Sequence, residues 1–242
     1  MLKAIVQPVT PFEQNASILY CSETKKCAIV DPGGDIEMLL KIAKDNELVP
    51  EKILLTHGHI DHAGGATEIA QILKVKIHGP HKDDKFLLDS LEEQGKMFGL
   101  NSKDCSPDVW LNEGDIVTIG KEKLETYFCP GHTPGHLIFY NLESKLAIVG
   151  DVLFCGSIGR TDLPGGNFDD KSSRRAPSTN LIILEPSNFD TEEICFLKLG
   201  VIGVISFLDK TPNLLNLQVS SRGLGQLLKS FDANFLKLFS SN

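Results

Sequence analysis

The sequence predicts an α/β fold built from two sheets covered by helices, and two observations carry that expectation. Through the first two thirds of the chain short apolar strands alternate with helical patterns, and from residue 114 strands follow one another with only brief turns between them. Alternation favours parallel pairing across helices, whereas close succession favours antiparallel or mixed pairing, so a strictly doubly wound sheet does not fit. A chain of 242 residues is long enough for one sizeable core, and one domain is the default. No repeat at a solenoid period and no extended low-complexity run interrupts it.

Taken in order, "ASILYCSETKKCAIVDPGG" reads as two strands around a polar turn, stopped by Pro-Gly-Gly. "DIEMLLKIAKDN" follows with helical spacing and Asp35 as its N-cap. "EKILLT" is a buried strand, "ATEIAQILK" a helix, and "VKIHGP" the next strand. "DKFLLDSLEEQGKMFGL" reads as helical, after which "DIVTIG", "KLETYFCPG", "HLIFYNL" and "KLAIVGD" are four strands. Near residue 171 the character changes. "KSSRRAPSTN" is a polar break, dividing a region 1–170 from a segment 171–242 that contains none of the seven histidines. In that segment "LGQLLKSFDANFLKLF" sets Leu224, Leu227, Leu228, Phe231, Phe235 and Leu238 at helical spacing, as for packing on a core.

Composition excludes several function classes. A formal net charge of -8, with lysines and arginines scattered, leaves no positive surface for nucleic acid or anionic lipid. The longest apolar run, "LGVIGVISFL", is about half of the roughly 20 residues that span a bilayer, and the N-terminal stretch lacks the pattern of a secretory signal. Six cysteines without a CxxC pair fit reduced, buried thiols, Cys129 and Cys155 among them. A cytoplasmic location is the expectation.

The chemistry concentrates in "LLTHGHIDHAGG", where His57, His59, Asp61 and His62 follow an apolar run and precede a glycine pair. Residues two apart in an extended segment point the same way, so His57, His59 and Asp61 can converge while the turn that follows swings His62 round. Imidazole and carboxylate are ligands that zinc accepts, and three protein ligands plus a water form the usual catalytic zinc site. Asp31, ending the strand "CAIVDPGG", is either an acceptor that orients a ligand histidine or a turn residue. His136 reads as a buried, satisfied histidine, and His78 and His81 read as surface-loop residues. Arg160 and Asp162 in "GSIGRTDLPGG" read as a pair that shapes their loop, with an anion-facing Arg160 as the alternative.

"THGHIDH" resembles the HxHxDH signature of the metallo-β-lactamase superfamily, and "CPGHTPGH" and "IVGD" extend the likeness. The resemblance implies a four-layer αββα sandwich with an atypical C-terminal segment. It also implies a first metal held by His57, His59, His132 and Asp151, and a second held by Asp61, His62 and Asp151. Asp61 and Asp151 count as catalytic residues in the same carry-over. From Met1 to about Asp170 the chain is similar to the small bacterial glyoxalase II-like hydrolases, in "VTPFEQNASILYC", "VDPGGD", "ILLTHGHIDHAGGA", "FGL", "VWLNEGD" and "GDVLFCGSIGRTDLPGGNFDD". That likeness implies cleavage of a small thioester, of the S-2-hydroxyacylglutathione type, by hydroxide formed on one or two zinc ions. Asp151 stands where many antibiotic-hydrolysing members carry cysteine, which argues against that activity.

After "GNFDD" the pattern stops, and the "PGHGP" loop that would complete the second metal is missing. Asp209, Glu192 and Glu193 are read as ordinary surface carboxylates rather than replacements. The alternative enzyme is a mononuclear iron protein of persulfide dioxygenase type, for which His57, His132 and Asp151 supply two histidines and one carboxylate. A catalytically defective metal-binding protein is the third reading.

Overall fold

Two five-stranded sheets face one another and join at one end, which is where the histidines collect. The structure, a computed structural model, describes residues 1–154 and 158–168 and the backbone of 182–184. The first sheet has the order β1 (Leu2–Val9), β2 (Gln14–Cys21), β3 (Lys26–Val30), β4 (Val49–Leu54), β5 (Lys76–His78). Its first three strands pair antiparallel, and β3, β4 and β5 pair parallel. The second sheet contains β6 (Ile116–Ile119), β7 (Glu122–Phe128), β8 (Leu137–Asn141), β9 (Leu146–Ile148) and β10 (Ile182–Leu184), ordered β10-β9-β8-β7-β6. Only its β9–β10 pair is parallel. Mixed pairing in both halves matches the expectation from strand spacing.

The prolines within strands stand where a missing N–H is tolerated. Pro8 lies on the edge strand β1. Pro50 lies in a central strand, but at a register shift: Cys27 pairs with Pro50 and Ala28 with Lys52, so Glu51 is the extra residue of a bulge. Glu51 uses that position to pair with Lys26 at 2.6 Å and to accept the Gly120 N–H at 3.0 Å.

Alternation sorts the side chains into separate layers of core. Leu19, Ala28, Val30 and Leu54 of the first sheet meet Leu137, Phe139, Leu146 and Ile148 of the second. On the other face of the first sheet, Ile18, Ile29, Ile53 and Leu55 pack against α1 (Ile36–Asp45), α2 (Ile60–Ala63) and α3 (Ala66–Leu73) through Leu39, Ala43, Ala63, Ala66 and Ile69. Ile138, Tyr140, Ala147 and Val149 are buried on the far side of the second sheet. The described residues thus supply helix, sheet and sheet. These are three layers of the expected αββα sandwich, and the expectations for the segment after residue 170 lie outside the described residues. Among those residues no helix is long and apolar enough to cross a membrane.

One local expectation is corrected and another refined. Asp35 does precede α1, but its side chain makes no capping bond there; its carboxylate accepts the Thr10 N–H at 2.7 Å and ties the β1–β2 turn to the helix start. The stretch "DKFLLDSLEEQGKMFGL" is helical as expected but divided into pieces: the end of a 3-10 turn (Lys82–Asp84), α4 (Lys85–Leu88) and α5 (Leu91–Phe98). Ser90 divides α4 from α5, because its hydroxyl bonds back to the Phe86 and Leu87 carbonyls and competes with the helical pattern.

Phe139 is fully buried between the sheets. Phe139→Ala is expected to cost about 3–5 kcal/mol of unfolding free energy, whereas Leu142→Ala, at a side chain 69% exposed, should stay within about 0.5 kcal/mol. Urea titration of the two variants measures both.

Candidate metal centre

Parallel strands present their C-terminal ends to the same edge, and here β3 and β4 lead directly into Asp31 and into Thr56–His57. The Asp31 N–H donates to the Leu54 carbonyl at 3.0 Å, which fixes the two ends side by side. From the second sheet, the turn after β7 carries His132, β8 begins just after His136, and the turn after β9 carries Asp151. The Leu137 N–H donates to the Thr56 carbonyl at 2.8 Å and closes this end of the sandwich. Four segments therefore converge on one point.

Around it His57 Nε2 lies 3.1 Å from His59 Nδ1, and His59 Nδ1 lies 2.9 Å from His132 Nε2. Asp151 spans two neighbours: Oδ2 is 3.3 Å from His132 Nε2, and Oδ1 is 3.1 Å from His62 Nε2. Asp61 Oδ2 reaches His62 Nε2 at 3.6 Å. The six residues expected as ligands are thus neighbours in space.

The hydrogen bonds on the far sides of the rings show which nitrogens face the cluster. His132 Nδ1 donates to the Arg160 carbonyl at 2.6 Å, leaving the Nε2 lone pair toward the cluster. His57 Nδ1 donates to Thr56 Oγ1 at 3.0 Å, and that hydroxyl donates onward to Asp31 Oδ2 at 2.7 Å. His62 Nδ1 donates to the same Asp31 oxygen at 3.0 Å, and Asp31 Oδ1 accepts the Thr56 N–H at 2.8 Å. Asp31 therefore orients two imidazoles at once, one directly and one through Thr56. Of its two sequence readings, the orienting acceptor is the one the geometry matches.

Burial sets the charge states. It pushes His57 far below the ordinary histidine value, and His59 down to about 3, with neighbouring imidazoles adding to both shifts. For His62 burial opposes the charge, but Asp61 and Asp151 overcome it and hold the ring well above the ordinary value. Burial raises Asp61, and His62 works against that rise. Asp151 is held well below the carboxylate range because the attraction of His62 outweighs its burial.

These residues fit a divalent metal. His57 Nε2 and His132 Nε2 both present lone pairs to His59 Nδ1, which carries at most one proton between them, so a shared cation satisfies the three nitrogens more fully than hydrogen bonds do. Bonds of about 2.0–2.1 Å in a tetrahedron separate nitrogen ligands by roughly 3.3 Å, close to the distances here. His57, His59 and His132 form one group that could hold an ion, and His57, His62 and Asp151 form another. His57 thus touches both groups, a sharing that its place in the motif did not suggest.

The remaining candidates fall outside the cluster. His136 is fully buried, stacks on His57 at 4.6 Å, and accepts the Asp151 N–H at 3.0 Å, so it holds the Asp151 backbone. His78 ends β5, half-buried. His81 is not an idle loop residue: it caps the 3-10 turn by accepting the Asp83 N–H and stacks on Phe128 at 4.5 Å. Arg160 and Asp162 make a two-pronged ion pair at 2.8 and 2.7 Å on the surface. Cys21, Cys27 and Cys105 are buried thiols and Cys129 is half-buried. Cys155, Glu192, Glu193 and Asp209 lie outside the described residues.

Sequence reasoning missed Asp84, which is fully buried and accepts three hydrogen bonds from the two histidine loops. Burial pushes its carboxyl up to about 6 against the pull of those donors. Nothing in "HGPHKDD" marks it locally, since its partners lie 26 to 51 positions away.

Residues 9–196 match the family described as the metallo-beta-lactamase superfamily, and the chain belongs to it. It is a metal-dependent hydrolase by that membership. Hydroxyacylglutathione hydrolase GloC of Haemophilus influenzae is 46% identical over 164 residues, 67% of this chain and 77% of that protein. Among solved structures, TTHA1623 in a di-iron-bound form is 29% identical with a TM-score of 0.66, covering 76% of this chain and 92% of its own. The BLEG-1 B3 metallo-beta-lactamase is 34% identical with a TM-score of 0.64, over 72% and 82% of the two chains.

Gly150 precedes Asp151 with φ of 46°, and a Cβ there would lie 2.6 Å from Thr56 Oγ1 and 2.7 Å from His136 Nε2. Gly150→Ala is therefore expected to destabilise the fold by about 1–3 kcal/mol. Urea unfolding of the variant checks this, and a change within about 0.5 kcal/mol would contradict the packing described.

Proposed function

We propose that this chain hydrolyses a small thioester of the S-2-hydroxyacylglutathione type. The observation that carries the reading is the convergence of His57, His59 and His132 nitrogens within 3.1 Å of one another along the chain of contacts, with Asp151 bridging to His62. The likeness to Haemophilus influenzae GloC supports the substrate class. In this reading His57, His59, His132 and Asp151 would hold one zinc ion, and Asp61, His62 and Asp151 a second. Zinc in such a site lowers the pKa of a coordinated water toward 7 and polarises a carbonyl.

The chain's own residues supply the rest. The outward N–H groups of His57 and His132 donate to Thr56 Oγ1 and to the Arg160 carbonyl, so these rings keep an inward lone pair for the metal, while His62 donates outward to Asp31 and would give up its inward proton when a metal binds. The side chains of His62 and His132 are 2% exposed, those of Asp151 and Asp61 18% and 28%. Substrate therefore approaches from the carboxylate side, with the imidazoles forming the floor. Thioester cleavage adds water across the carbonyl–sulfur bond, giving a carboxylic acid and a thiol.

A second reading puts iron in place of zinc, and the di-iron-bound form of the similar TTHA1623 supports iron as a metal for such a site without bearing on the reaction. With one iron, His57, His132 and Asp151 supply a two-histidine, one-carboxylate set. Oxygen consumption with glutathione persulfide would then exceed thioester cleavage.

The test is hydrolysis of S-lactoylglutathione by the purified protein and two variants. His132→Ala is expected to lose bound metal and to lower the rate more than about 100-fold, beyond the 10- to 100-fold typical of residues behind the ligands. His78→Ala is expected to stay within about twofold. Unchanged thioesterase activity in His132→Ala would reject the proposed site, and a large loss in His78→Ala would show the ligands misassigned.

A further inference from the structure

Asp84 sits at the end of the 3-10 turn that leads into α4, fully buried, between the two loops that carry the imidazoles. Its Oδ2 accepts the Gly58 N–H at 2.8 Å, from the residue between His57 and His59. The same oxygen accepts the Thr133 hydroxyl at 2.7 Å, from the residue after His132, and Oδ1 accepts the Gly135 N–H at 2.5 Å. One carboxylate thus links the backbone inside the HxH segment to the segment between His132 and His136.

The fit leaves no slack. A Cβ on Gly135 would lie 2.6 Å from Asp84 N and 2.7 Å from Asp84 Oδ1, and one on Gly58 would lie 2.9 Å from Leu87 Cβ and 3.1 Å from the Asp84 carbonyl oxygen. The His81 N–H donates to the Gly135 carbonyl at 3.1 Å and the Asp84 N–H to the His81 carbonyl at 3.1 Å, so the turn that holds the carboxylate is itself pinned to the loop it binds. Hydrogen bonds to a charged acceptor are among the stronger ones, and three of them converge here away from water.

We propose that Asp84 is a positioning residue that sets the spacing between His59 and His132 by clamping Gly58, Thr133 and Gly135 to one carboxylate, and that it thereby tunes metal affinity. The inference rests on the reading of the histidine cluster as a metal centre. It goes beyond that reading by assigning the geometry of the site to a residue that ligates nothing. Sites of this kind tolerate displacements of about 0.5 Å, and a clamp across two loops acts on that scale.

Asp84→Asn keeps the volume but turns one oxygen into a donor that faces either Gly135 or the Gly58 and Thr133 donors. Thr133→Val removes one hydrogen bond and leaves the carboxylate in place. The experiment is titration of the metal-stripped full chain and both variants with cobalt(II), read by visible absorption, with thermal midpoints measured with and without cobalt. Asp84→Asn is expected to bind cobalt about 10- to 100-fold more weakly, with an altered absorption band, and Thr133→Val about 3- to 10-fold more weakly. The midpoint gained on adding cobalt should shrink in step, because stabilisation by a ligand follows its affinity.

A purely structural Asp84 would lower the midpoints with and without cobalt equally and leave affinity and absorption unchanged, and that result overturns the proposal. If Asp84→Asn does not fold, Thr133→Val decides alone, with wild-type affinity overturning it. Wild-type protein that takes up no cobalt would instead overturn the metal-centre reading on which the proposal stands.

Discussion

The constraint on which the site depends is that His57, His62, His132 and His136 are packed together almost without exposure to water. Imidazoles in such a place cannot all be charged, and lone pairs facing one another cannot all be hydrogen-bonded. The fold meets that constraint from outside the cluster. His57 donates its outward N–H to the Thr56 hydroxyl, which donates on to Asp31, His62 donates to Asp31 directly, and His132 donates to the Arg160 carbonyl. What remains inside is a set of inward nitrogens and two carboxylates, which a divalent cation satisfies better than any rearrangement of protons.

The two-sheet architecture is what makes this packing attainable. Parallel β3 and β4 end together because the Asp31 N–H reaches the Leu54 carbonyl, and β8 is joined to β4 by the Leu137 N–H on the Thr56 carbonyl. Each ligand segment is therefore a short extension of a buried strand, with little freedom to move away. Phe139 and its neighbours between the sheets hold the strands that carry His132 and Asp151 against those that carry His57 to His62. Stability and site geometry share the same core.

Much of this was legible in the sequence, for reasons that differ by residue. His57, His59, Asp61 and His62 are local, so spacing alone suggested a ligand loop. His132 and Asp151 were placed by resemblance, through short motifs at the ends of apolar strands. Asp31 was left open between two roles, and only the contact with His62, 31 positions away, separates them. Asp84 gave no local sign, because its meaning lies entirely in contacts with Gly58, Thr133 and Gly135. The break between α4 and α5 was missed because apolar spacing continues across Ser90, while a side-chain hydroxyl ends the helix.

The central claim is that the buried histidine cluster is a metal centre, and the most direct measurement is elemental analysis of zinc and iron in purified, monodisperse protein. The account predicts zinc retained through desalting at about one to two ions per chain. A folded chain that keeps neither metal after exposure to an excess of each, with its melting midpoint unmoved, would contradict it.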